Sequence, residues 1–189
     1  MTGANLEIHP VTKDRWADLL RLVGDRGAFS GCWCMWWRVT SAEFAERAGA
    51  GNRRSFKRLV DQEREPGLLG YSGGEPVGWV SVAPRDEFGR LDRSPVLGRV
   101  DDEPVWSIVC FYIDRRHRRK GVGAALLRGA VEHAASRGAR VVEGYPIDTG
   151  GEKMPGAEVF TGLLPMFEAA GFRVVERRRP RRPIVRFYT

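Results

Sequence analysis

The run Pro104-Val105-Trp106-Ser107-Ile108-Val109-Cys110-Phe111-Tyr112-Ile113 is almost unbroken in apolar and β-prone side chains, which is the pattern of a central strand covered on both faces. It leads at once into RRHRRKGVGAALL, Arg115 to Leu127, where a basic stretch meets Gly121, Val122 and Gly123 and then a series of small apolar residues. Val122, Leu126, Leu127, Ala130, Val131 and Ala134 recur on one helical face, and Gly138 supplies a terminator. Arg140 to Tyr145 then reads as a further strand. Strand, glycine turn, helix and strand predict a right-handed βαβ unit with its glycine turn at the carboxyl end of the first strand.

The flanking segments extend this to a mixed α/β chain. Leu6 to His9 alternates as a strand and leads into a helix carrying Trp16, Leu19, Leu20 and Val23, for which Thr12 is the expected cap. A second helical stretch starts at Ser41 and resumes from Ser55 to Arg64. LLGYSGGEPVGWVSVAP is two apolar runs about Gly73-Gly74, a hairpin signal. Arg85 to Glu103 is a long polar connection, of the kind that often serves function and could close over a pocket. Phe160 to Ala170 reads as a helix, and 172–176 and 184–188 as strands. The expected order is β-α-α-β-β-β-α-β-α-β-β over residues 1–189 as one domain, with no repeat and no linker.

With 189 residues and 42% hydrophobic content the chain can bury a real core. A formal charge of +7 calls for an anionic partner without choosing between nucleic acid, an acidic surface and a phosphorylated cofactor. No apolar run approaches the roughly 20 residues of a membrane helix, and MTGANLEIHPVTKDRW lacks a signal-peptide pattern. Three cysteines, two of them separated by one residue, make a disulfide framework unexpected. A cytoplasmic location without membrane contact is therefore expected.

A glycine turn entering a helix presents backbone N–H groups that the helix cannot satisfy, reinforced by the helix dipole. Gly121 and Gly123 remove side chains that would hold a phosphate off, and Arg118, Arg119 and Lys120 add full charges. The competing reading is a solvated basic loop before an ordinary helix. The order is neither GxxxxGK[ST] nor the dinucleotide fingerprint GxGxxG near a first strand, so a different phosphate-bearing cofactor is wanted.

Arg118-Arg119-Lys120-Gly121-Val122-Gly123 resembles the R/Q-x-x-G-x-G/A motif of the GNAT superfamily of N-acetyltransferases. GGEPVGWVSV resembles that family's second and third strands, and Met166 to Phe172 its late helix ending in a GF pair. The resemblance implies a mixed, mostly antiparallel sheet flanked by helices, with acetyl-CoA as acyl donor. Its pyrophosphate would lie on Arg118, Arg119, Lys120, Gly121, Val122, Gly123 and Ala124, and its pantetheine arm on backbone near Phe111 and Ile113. Arg115 and Arg116 would join Arg119 in screening the phosphates. It also implies direct attack of an amine on the thioester in a ternary complex.

The family's usual thiol-protonating tyrosine falls at Phe167, and its usual asparagine at Phe160, so neither role carries over. Alternation sends Glu143 and Tyr145 to one face, which nominates Glu143 as base and Tyr145 as proton donor or substrate contact, against packing and a structural ion pair. Asp101, Asp102 and Glu103 are competing bases or a solvated loop end. Cys110 reads as a packing residue. Within CWCMWW, zinc would need two further ligands that no local histidine pair supplies. Trp33, Trp36 and Trp37 read either as core or as aromatic walls for an organic or cationic amine. The basic run 177–182 reads as a solvated hairpin tip, with a nucleic-acid contact unlikely.

The function expected is N-acetylation of a small-molecule primary amine. The alternatives are a protein or peptide amine, or a non-catalytic CoA- or nucleic-acid-binding protein of this fold. A homodimer stays open.

Overall fold

The computed structural model describes residues 6–189; residues 1–5, part of the stretch inspected for a signal peptide, lie outside the described residues. The strands are β1 (Glu7–Pro10), β2 (Leu68–Ser72), β3 (Glu75–Pro84), β4 (Trp106–Ile113), β5 (Val141–Gly144), β6 (Arg173–Glu176) and β7 (Ile184–Tyr188). The helices are α1 (Trp16–Val23), α2 (Ser41–Glu46), α3 (Ala50–Asp61), α4 (Gly89–Asp92), α5 (Val122–Ser136) and α6 (Leu164–Ala169). The strands form a single sheet in the order β1-β2-β3-β4-β5-β7-β6. Every neighbouring pair is antiparallel except β4 and β5, which gives the mixed, mostly antiparallel sheet that the resemblance implies.

Two apolar layers cover the sheet. On one face α5 buries Val122, Leu126, Leu127, Ala130 and Ala134 against Leu68, Val80, Val82 and Ile108, joined by Phe167 from α6. Close approach depends on glycine: a Cβ on Gly78 would stand 2.8 Å from Leu126, and one on Gly129 2.7 Å from Ile8, distances that packed interiors do not tolerate. On the other face α1, α3 and the segment through Met35 pack Leu19, Trp33, Phe56 and Val60 on Leu69 and Trp79. Among the described residues no helix is long and apolar enough to cross a membrane.

The β2–β3 hairpin turns on Gly73 and Gly74 at φ 57° and 78°, the left-handed pair that a tight hairpin needs. Three local expectations are corrected. Thr12 does not cap α1: Arg15 occupies that position without a side-chain bond. Thr40 caps α2 instead, in a reciprocal box with Glu43. The helix expected from Phe160 begins only at Leu164, because Gly162 sits at φ 89° and Pro165 favours the first turn. The connection from Arg85 to Glu103 is not a free lid. It contains α4 and buries Phe88, Leu91 and Leu97 in a third apolar cluster with Val109 and Tyr145.

Candidate active site

The sheet opens at its centre. β4 pairs with β5 only from Trp106 to Ile108, opposite Val142 to Gly144. Beyond Ile108 it continues to Ile113 against β3 alone, past a bulge where Cys110 faces Ser81 and Ile108 faces Val82. An extra residue in one strand bends it and raises its twist, so β4 parts from β5. Alternation along β4 then turns the peptide groups of Phe111 and Ile113 away from β3 and into the gap.

At the end of this gap lies the basic turn. Asp114 organises it, accepting from the Arg116 N–H at 2.8 Å and from Arg116 Nε at 3.1 Å. These donors hold the Asp114 carboxyl down to about 2. Arg116 is thus paired with Asp114 while its side chain stays 83% exposed. Arg118 Nε donates to the Ile113 carbonyl at 3.1 Å, while Arg119 and Lys120 are exposed. Arg119 at φ 60° and Gly121 at φ 82° wind the chain into α5. The first bond of that helix runs from the Ala125 N–H to the Gly121 carbonyl at 3.1 Å, so the N–H groups of Val122, Gly123 and Ala124 precede it and have no partner within the helix. Gly123 matters in a second way: a Cβ there would stand 3.0 Å from Met166 Sδ.

The open edge of β4 is partly covered by the chain itself. The Phe111 N–H donates to the Phe160 carbonyl at 2.6 Å. The segment between β5 and α6 is held there by the Ile147–Leu163 bridge and by Trp37, whose ring packs 6.3 Å from that of Phe160. Phe167 is fully buried, edge-on to Phe111 at 6.1 Å, and wedged so tightly that a Cβ on Gly144 would stand 2.3 Å from its ring.

Glu143 and Tyr145 do share a face, 1% and 0% exposed. Glu143 accepts from Tyr145 at 2.7 Å, Arg85 at 2.9 Å and Arg186 at 2.8 Å. Arg85 also donates to Tyr145, Asp92 and the Leu97 carbonyl. Arg186 grips Asp101 at 2.6 and 2.8 Å, which ties this exposed carboxylate at the loop end to the network. Burial and the Glu143 charge push the Tyr145 hydroxyl well above its ordinary range, which keeps it a donor. Neither side chain is open to a bound amine. Arg85 and Arg186 escaped the sequence reading because their carboxylate partners lie far away along the chain.

Of the three tryptophans, Trp33 and Trp37 are buried and Trp36 is 37% exposed. The Arg90 guanidinium covers the Trp36 ring at 3.8 Å, and Arg53 stands 5.4 Å from Trp33. One face of Trp36 is thus already covered by the chain's own cation. The basic run 177–182 is also engaged: Arg178 donates to the carbonyls of Gly98 and Arg99, and Arg177 to Asp148. The run lies at the exposed β6–β7 tip, as expected, and these bonds fasten that tip to its neighbours.

The pattern describing the Acetyltransferase (GNAT) family matches residues 33–145, more than half of the chain, including β4, the basic turn and α5. The chain belongs to the acetyltransferase (GNAT) family. Solved structures agree at the level of the fold. PaiA N-acetyltransferase from Thermoplasma acidophilum, in complex with coenzyme A, superposes with a TM-score of 0.52 at 11% identity, over 98% of this chain and 99% of that one. An agmatine N-acetyltransferase gives 0.58 at 10% identity, over 98% and 100%. Ribosomal-protein-alanine N-acetyltransferase from Brucella melitensis gives 0.56 at 16% identity, over 97% and 100%. No curated protein sequence matches this one significantly. Membership of the family makes the chain an acyltransferase, and the neighbours' names span small-molecule and protein acceptors.

Proposed function

We propose that this acetyltransferase takes the acetyl group of acetyl-CoA and passes it to the primary amine of a small molecule by direct attack. The observation that carries the reading is the parting of β4 from β5 directly before a glycine turn with exposed cations. The residues fit the donor. The N–H groups of Val122, Gly123 and Ala124 would meet the pyrophosphate, and Arg119 and Lys120 would add charge. Bound there, acetyl-CoA supplies an activated thioester carbonyl.

The chain's own groups supply orientation and polarisation. The Phe111 N–H points away from β3 and is the candidate donor to the carbonyl oxygen, as a backbone dipole. It must first release the Phe160 carbonyl, so binding of the donor is coupled to movement of the segment between β5 and α6. Phe167 offers no proton where many relatives place a tyrosine. A thiol of reference pKa about 8.5 can depart largely as thiolate, so turnover does not require that acid. Glu143 and Tyr145, enclosed between two guanidiniums, act in this reading to hold β4 and β5 together at the point of parting.

The acceptor side is bounded by Trp36 and Trp37. With Arg90 on Trp36, the surroundings favour a neutral or anionic organic amine over a polycation. Thiol release from acetyl-CoA, measured over a panel of small amines and peptides, tests the proposal. Turnover with at least one small amine is expected. Turnover with peptides alone overturns the acceptor class, and turnover with none overturns catalysis.

A further inference from the structure

Between β5 and α6 the chain runs as an irregular loop whose two ends meet. The Ile147 N–H donates to the Gly162 carbonyl at 2.9 Å, and the Leu164 N–H to the Ile147 carbonyl at 3.0 Å. Loops closed at the base in this way are frequently functional. This one touches both parts of the candidate donor site. Its Phe160 carbonyl takes the Phe111 N–H at 2.6 Å, and a Cβ on Gly156 would stand 3.7 Å from Arg118 Nη1. The loop has little anchorage of its own, since from Gly150 to Glu158 every residue but Met154 is exposed. A segment with so few buried apolar contacts opens at low cost.

The β6–β7 tip fastens it. Arg177 donates to Asp148 at 2.8 Å and Arg181 to Glu152 at 2.7 Å. The Asp148 N–H donates to the Arg181 carbonyl at 3.1 Å, and Arg182 reaches the Thr161 hydroxyl at 3.4 Å. The tip therefore grips the loop where it leaves β5 and again where it returns beside Phe160. The four ion-pair side chains are between 31% and 63% exposed. Exposed pairs of this kind are individually weak, which suits a fastening that is made and released rather than one that is permanent.

We propose that Arg177 and Arg181 of the β6–β7 tip latch this loop shut over the edge of β4, so that the loop's Phe160 carbonyl and the acyl donor compete for the Phe111 N–H. The inference rests on the reading that acetyl-CoA binds along that edge. With the latch closed the N–H is spent on Phe160; with the loop swung away it is free for the donor. The apparent affinity for acetyl-CoA is then the intrinsic affinity reduced by the fraction of molecules whose loop is open. Weakening the latch raises that fraction and tightens binding. The sign separates this role from a simpler one. Removing cations near a polyanionic donor weakens its binding if they attract it, and strengthens its binding if they hold the loop against it.

The test compares the parent with Arg177→Gln/Arg181→Gln in the full chain, its fold checked by circular dichroism. In calorimetric titration with acetyl-CoA the variant's Kd is expected to be about five-fold lower, the effect of removing two exposed pairs together. In nuclear magnetic resonance without acetyl-CoA, the Phe111 amide is expected to exchange with deuterium faster by about the same factor, while the amides of β2 and β3 keep their rates. A parent that binds acetyl-CoA and a variant whose Kd is equal or higher overturn this inference alone. So does a Phe111 amide that exchanges no faster in the variant, or an acceleration shared equally by β2 and β3, which would assign the two arginines to global stability. Absence of binding in both proteins refutes the donor reading itself.

Discussion

Replacing Glu143 by Gln separates a structural role from a catalytic one. The change preserves shape and removes a charge. In the parent, one carboxylate oxygen accepts from Arg85 and Tyr145 and the other from Arg186. The Gln amide nitrogen must face one of these donors, so one hydrogen bond with a charged partner is lost, worth about 1.5–3 kcal/mol. The remaining oxygen is a weaker acceptor for the other guanidinium. A loss of about 3 kcal/mol follows, at the low end of the roughly 3–5 kcal/mol expected for breaking a buried ion pair. In a chain of this length that is about 6–12 °C in Tm, accompanied by a lower denaturant midpoint at unchanged slope. Thermal and urea unfolding read it directly, and kcat on the folded variant should fall no more than a few-fold. A general base contributes about 100-fold or more. A Glu143→Gln protein with parental stability and kcat reduced to that extent would show that Glu143 moves the substrate's proton, and would refute the structural assignment.

Gly144→Ala places a Cβ 2.3 Å from the Phe167 ring, and overpacking of this kind should cost about 1–3 kcal/mol in urea unfolding; an unchanged midpoint would mean that the ring is not wedged. His133, packed against Trp106 and 3.8 Å from Glu65, has its pKa lowered from 6.5 by burial. Because the unfolded chain binds that proton first, the stability from this site is complete above pH 6.5 and is lost as pH falls through the lower folded value. His133→Gln should flatten the decline in denaturant midpoint between pH 7 and 5. Trp36→Ala should raise the KM for the acceptor about ten-fold, or about 1.4 kcal/mol, while the Kd for acetyl-CoA stays constant; an unchanged acceptor KM removes Trp36 from the pocket wall.

The part of the fold most legible in the sequence was the part with local causes. The unbroken run to Ile113, the glycines at 121 and 123 and the helical spacing that follows each act within a few residues, and together they placed β4, the turn and α5. Gly73-Gly74 fixed its hairpin for the same reason. What stayed hidden depends on contacts between distant segments. Nothing near Arg85 announces Glu143 and Arg186, and nothing near Phe160 announces that its carbonyl will meet Phe111. The composition CWCMWW promised large aromatic surfaces, but whether each faced core or cleft depended on α1, α3 and Arg90.

The central claim is that the glycine turn at the parted strands holds acetyl-CoA, and calorimetry with the purified protein tests it most directly. The account predicts saturable one-to-one binding at micromolar acetyl-CoA, weakened by added salt, and lost in Gly121→Glu while the fold persists by circular dichroism. No heat of binding for the parent at these concentrations, or undiminished binding in the Gly121→Glu protein, would contradict it.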